Sequence, residues 1–120
     1  VVMNRVMDDR YPNTVCEVVK QGPVRESWKT RDNPNIKNEN RVFYPIRNQC
    51  QFSWYCDGKS DEPTDSKTWI KAIRLADSIL DGTYTDITEN ALWYHADHVD
   101  PYWNDYLQQT VYINNHIFYK

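Results

Sequence analysis

Thr110-Val111-Tyr112-Ile113-Asn114-Asn115-His116-Ile117-Phe118-Tyr119 decides the fold class. Two runs rich in β-branched and aromatic residues flank an Asn-Asn pair, and Asn tolerates the positive φ that tight hairpin turns demand. The stretch therefore reads as a β-hairpin. Upstream, Ala91-Leu92-Trp93-Tyr94-His95 reads as an aromatic-rich strand, preceded by a turn or cap at residues 86–90. Residues 97–103 read as a polar loop ending in two aromatics. Earlier still, Trp69, Ala72, Ile73, Ala76, Ile79 and Leu80 recur at three- and four-residue steps, the pattern of a helix over 65–80 with one apolar face. Thr64 or Asp65 caps it and Gly82 ends it. Trp69 is expected in the core. Helices followed by a small antiparallel sheet make an α+β domain. The 120 residues are expected to form one domain with a single core.

The rest of the chain is less regular. Val2, Met3, Val6 and Met7 have helical spacing, yet residue 1 is not Met and no capping residue precedes the run. The expectation is a chain that begins inside a helix, with a segment missing upstream. Tyr11-Pro12-Asn13-Thr14 is a turn, and Thr14 caps a short helix through Val18 and Val19 with Glu17 at the capping-box position. Residues 21–49 carry three prolines, a glycine, many Asn and little periodicity. They read as a long loop, with a short helix near 38–43, and loops of this length are usually functional or mobile.

Composition narrows the function classes. The hydrophobic fraction is 40%, but nine Tyr and five Trp supply much of it. Such rings suit half-wet positions, either padding a small core or lining a cleft. Net charge is −3 and the 14 basic residues form no stripe, which argues against nucleic acid. No apolar run approaches the roughly 20 residues of a membrane span, and no secretory signal is visible. Three cysteines cannot all pair within one chain. Cys16 lies in an apolar run and is expected to be a buried thiol. The spacings Cys50-x5-Cys56 and His95-x2-His98 fit no common structural zinc pattern, and neither metal nor cofactor is expected.

Cys50-Gln51-Phe52-Ser53-Trp54-Tyr55-Cys56-Asp57-Gly58 is the segment richest in ligand-binding groups. As an extended strand it places Gln51, Ser53 and Tyr55 on one side and Phe52 and Trp54 on the other. One side packs inward; the other offers an amide, a hydroxyl and a phenol, groups suited to sugars. A straight strand holds the two cysteines roughly 20 Å apart, so a disulfide requires the segment to double back. Free, partly buried thiols are the expectation.

Several of these stretches, in order, resemble the SleB-type cell-wall hydrolase family. They are Val1-Val2-Met3-Asn4-Arg5-Val6 with Tyr11-Pro12-Asn13-Thr14-Val15-Cys16-Glu17-Val18-Val19, then Cys50-Gln51-Phe52-Ser53-Trp54. Next come Asp86-x-Thr88-x-x-Ala91 leading into Trp93-Tyr94-His95-Ala96-Asp97, then Pro101-x-Trp103, and finally Ile113-Asn114-Asn115-His116-Ile117-Phe118-Tyr119. The resemblance spans essentially the whole chain. It implies a lysozyme-like fold and peptidoglycan as substrate. It implies cleavage of the β-1,4 link from N-acetylmuramic acid to N-acetylglucosamine, in the manner of a lytic transglycosylase. Action in the cell envelope, outside the cell, or in a phage particle or lysate follows, and a monomer is expected. By the same resemblance Gln51 and Ser53 bind sugar hydroxyls or acetamido groups, Tyr94 and His95 lie near the cleaved bond, His116 orients a neighbour, and Trp103 serves as core or platform. Asp97 and Asp100 are either solvated loop charges or a second carboxylate.

The sequence departs from the family at one decisive position. The family's catalytic Glu precedes the Asn-Arg-Val motif, and none of Glu17, Glu26, Glu39, Glu62 or Glu89 corresponds to it. The acid is expected upstream of Val1. Asn90 and Asn114 stand where the family usually has Gly, and Asn is the best-tolerated substitute at positive φ. Two rival expectations remain: a non-catalytic peptidoglycan-binding module or phage structural component, and a metal-dependent hydrolase using His95, His98 and a nearby Asp.

Overall fold

The computed structural model describes residues 1–120. The chain forms two compact units: residues 1–18 with 63–120, and residues 19–62.

In the first unit, α1 (Val2–Val6) is one turn and a half long, and its buried residue is Arg5. α2 (Val15–Lys20), whose last two residues belong to the second unit, starts at Thr14, whose Oγ1 accepts from the Glu17 N–H at 3.3 Å while its hydroxyl donates to Glu17 Oε2 at 2.7 Å. The expected cap is present. β3 (Trp93–Ala96), β4 (Gln109–Ile113) and β5 (His116–Tyr119) form an antiparallel sheet in the order β3-β5-β4. Register pairs Trp93 with Tyr119, Tyr94 with Phe118, His95 with Ile117 and Ala96 with His116. The β4–β5 hairpin turns at Asn114-Asn115, with Asn114 at φ 52°. Asn90 likewise sits at φ 64°. Both Asn residues thus occupy the left-handed region in which they were expected to replace Gly.

α4 (Ser66–Leu80) is the longest element. Asp65 caps it by accepting from the N–H groups of Lys67 and Thr68, and Gly82 at φ 77° follows its end. Its apolar stripe, however, is uncovered. Trp69 is 48% exposed, and Ile73 and Leu80 are exposed as well. The expectation of Trp69 in the core is corrected: spacing identifies an apolar face, but not whether another element covers it. The buried apolar side chains of this unit are instead Val18, Ala91, Leu92 and Tyr119.

In the second unit, residues 21–49 are more ordered than a long loop. β1 (Val24–Glu26) pairs antiparallel with β2 (Phe43–Pro45). Between them lie α3 (Trp28–Arg31) and a 3-10 turn at Asn38–Asn40. The strands are only three residues long, too short to show a period of two. Arg41 holds the connection, donating to Glu26 at 2.6 Å and to the Thr30 carbonyl at 3.2 Å.

The 51–56 segment is not a strand. Ser53–Cys56 is a 3-10 helix. That turn doubles the chain back, so Cys50 and Cys56 have Cα atoms 6.2 Å apart and form a disulfide, correcting the expectation of free thiols. The expected alternation goes with the strand: Phe52 is buried, but Trp54 is 49% exposed. The bend depends on close approach elsewhere, since a Cβ on Gly22 would stand 2.9 Å from the Cys50 Cα. Cys16, expected to be buried, is an exposed free thiol. The short helix carrying it buries Val18 and turns Cys16 outward.

Candidate active site

The sheet of the first unit carries three of the six residues singled out from sequence, Tyr94, His95 and His116, and a fourth, Trp103, packs against it. His95 is at the sheet's buried face. Its Nδ1 lies 2.9 Å from the Ala96 carbonyl and its Nε2 lies 2.9 Å from the Tyr119 hydroxyl. A carbonyl can only accept, so Nδ1 carries the proton, and in the neutral ring Nε2 accepts from Tyr119. The imidazole also stacks on the Tyr119 ring at 5.3 Å, and Trp103 closes on both rings edge-on at 5.5 and 5.6 Å. Trp103 is half-buried in this cluster. With both nitrogens engaged and 9% of its surface accessible, His95 is built to hold position. Tyr119, its main partner, was not singled out from sequence; its place opposite Trp93 and beside His95 emerges only from the register.

Alternation places Tyr94 and His116 on the other face of the same sheet, and both are exposed. Tyr94 stacks near-parallel on Phe118 at 5.7 Å and touches the His116 ring at 5.7 Å. At the hairpin end, Asp97 accepts from the Tyr112 hydroxyl at 2.7 Å, with His98 Nδ1 3.6 Å away. The Tyr112 hydrogen bond holds the Asp97 carboxyl below its ordinary range and raises the Tyr112 phenol. Asp100 is engaged by the Asn104 side-chain amide at 3.0 Å.

Gln51 and Ser53 belong to the second unit, and both are exposed. Gln51 is fixed through its backbone, its N–H donating to the Gln21 carbonyl at 3.0 Å.

The first unit also holds an open pocket of about 480 Å³ lined by Asp8, Asp9, Tyr11, Asn13 and Glu17, among others. Asp8 is held down at about 2 by the hydrogen bonds of the Arg10 side chain and N–H. It is a fixed anion rather than a proton donor. The glutamates offer no buried acid either: Glu17, Glu39, Glu62 and Glu89 are exposed, and Glu26 is paired with Arg41. A general acid needs an apolar pocket to keep its proton near neutral pH, and none of these five has one. No group of three or more His, Cys, Asp or Glu side chains is arranged to hold a metal. No helix is long and apolar enough to cross a membrane.

Comparison with known proteins places these features in one family. The family model described as Cell Wall Hydrolase matches residues 1–119. No curated protein and no solved structure matches the chain. The chain belongs to the cell wall hydrolase family, whose work is the degradation of peptidoglycan in the cell envelope or outside the cell.

Proposed function

We propose that this chain holds peptidoglycan glycan strands for cleavage of the β-1,4 bond between N-acetylmuramic acid and N-acetylglucosamine, as a SleB-type lytic transglycosylase. The family match along residues 1–119 carries the reading. In that chemistry one Glu protonates the leaving oxygen. It then takes a proton from the muramic 6-hydroxyl as that oxygen attacks the anomeric carbon. The product is a 1,6-anhydro sugar, and no water is consumed.

The residues described here contribute binding and positioning. Exposed Gln51 and Ser53 offer an amide and a hydroxyl to sugar hydroxyls or acetamido groups. Tyr94 and His116 offer rings and polar tips from the sheet. His95 and Trp103, packed on Tyr119, hold β3 beneath Tyr94. The reading in which the acid comes from outside residues 1–120 is supported by their glutamates, four of which are exposed while Glu26 is paired with Arg41.

That same observation favours a second reading, a peptidoglycan-binding module that does not cleave. Both readings are tested by incubating residues 1–120 with purified peptidoglycan and analysing pellet and supernatant. Retention in the pellet with little soluble muropeptide is the expected result, since proton transfer to the leaving group is typically worth about 10² to 10⁴ in rate. Rapid release of anhydro-muropeptides would place the acid inside these 120 residues. Release of products with ordinary reducing ends would replace transglycosylation by hydrolysis.

A further inference from the structure

The outward face of the β3–β5 pair bears more aromatic surface than packing requires. Tyr94 and Phe118 are directly opposed across the two strands, and their rings lie 5.7 Å apart at 24°. His116, two residues before Phe118 and therefore on the same face, meets the Tyr94 ring at 5.7 Å and 57°. The hydrophobic demands of the sheet are met on its opposite face, where His95, Tyr119 and Trp103 interlock. Tyr94 nevertheless stays 39% exposed, and His116 is exposed beside it. What sets this face apart from the other exposed aromatics is that its three rings touch one another, and contiguous apolar patches are the kind of surface that ligand sites use.

We propose that Tyr94 and Phe118, with His116 at their edge, form a stacking platform for one N-acetylhexosamine ring of a glycan strand. The proposal rests on the peptidoglycan reading above and adds to it both a residue, Phe118, and a mode of contact. The chemistry fits on two counts. A β-linked pyranose presents axial C–H bonds on its flat faces, and these carry partial positive charge that the electron-rich face of an aromatic ring attracts. Around its rim the sugar carries hydroxyl and acetamido groups, which the Tyr94 hydroxyl and the His116 ring nitrogens can meet as donors or acceptors. Phe118 is half-buried and has no polar atom. Its part is to extend the apolar surface and, by its near-parallel stack, to fix the plane of Tyr94.

The experiment measures retention on insoluble peptidoglycan for the wild type, Tyr94→Leu, Phe118→Leu, and Tyr106→Ala. Tyr106 is a control, an 83% exposed aromatic outside the platform. Loss of one stacking face is expected to weaken retention about fivefold, with Tyr106→Ala unchanged and thermal unfolding of all variants still cooperative. Retention of both leucine variants at the wild-type level, with the wild type binding, overturns the platform and leaves the peptidoglycan reading standing. A wild type that does not bind peptidoglycan overturns that reading, and the platform with it. Should a leucine variant fail to fold, the wild type decides the matter by NMR. Solubilised glycan strands shift the ring protons of Tyr94 and Phe118 if the platform is real, and leave both unmoved if it is not.

Discussion

The Arg5 guanidinium donates from Nε to the Leu92 carbonyl over 2.7 Å, tying the first helix to the residue just before β3, 87 positions away. Asn4 works beside it, donating to the Ala91 carbonyl and to Asp86, both at 2.9 Å. The Asn-Arg pair that helps mark the family is thus a clamp between α1 and residues 86–92. Arg5 is only 4% exposed and lies 5.0 Å from the centre of the Tyr11 ring. Burial lowers its pKa.

Replacing Arg5 with Met should therefore cost about 2 kcal/mol, because a buried carbonyl loses its charged donor. Arg5→Lys should recover little of this, since an ammonium cannot reproduce the planar fork that meets the carbonyl and the ring together. Urea denaturation of the three proteins measures it. A loss below about 0.5 kcal/mol for Arg5→Met, the level of an ordinary surface change, would show that the clamp contributes little.

Asp86 gives this clamp a pH dependence. Burial pushes its carboxyl up, but hydrogen bonds from the Thr88 hydroxyl and N–H, Asn4 and the Asn90 N–H outweigh that and hold it at about 2. The folded value lies below the unfolded value of roughly 3.9. The stabilisation is therefore present above about pH 4 and disappears as pH falls through about 2. Asp86→Asn should be less stable than wild type at pH 7 by about 1 kcal/mol, a figure reduced for solvent screening. The gap should close between pH 4 and pH 2. Thermal unfolding of both proteins across that range checks the sign, and a gap that widens on acidification would contradict it.

The disulfide should make itself felt mainly in the second unit. Closing so short a loop is worth about 2 kcal/mol, and Cys50→Ser with Cys56→Ser should lose that amount. In the denatured, unreduced protein, thiol titration should count one free thiol, Cys16. The same thiol should react quickly in the native protein, because it is exposed. Three titratable thiols would exclude the bond.

What was legible in the sequence follows the length over which each pattern runs. The Asp65 cap, α4, β3 and the β4–β5 hairpin rest on several residues of regular spacing or on turn chemistry, and all are present. β1 and β2 were invisible, because three residues carry no measurable alternation and their pairing joins positions about 20 apart. In 51–56, alternation of large and small side chains imitates a strand, whereas the close approach of Gly22 to Cys50 accompanies a turn. At the candidate site, Tyr94, His95, Trp103 and His116 could be named from motifs. Their division into a buried cluster and an exposed face required the register. Tyr119 and Phe118 became visible only there.

Trp69 tests the boundary between pattern and packing. Its position at the first turn of the apolar stripe suggested a core residue, and a core Trp→Ala change costs about 3 to 5 kcal/mol. Its side chain is half exposed, and its stripe neighbours Ile73 and Leu80 are exposed too. Trp69→Ala should therefore cost less than a core change, about 1 to 2 kcal/mol, since roughly half of the side chain already lies in water. Alanine also keeps the helix, being the best helix former. Paired urea denaturation curves decide between the two magnitudes. A loss of several kcal/mol would mean that in solution something covers the stripe that leaves it open here.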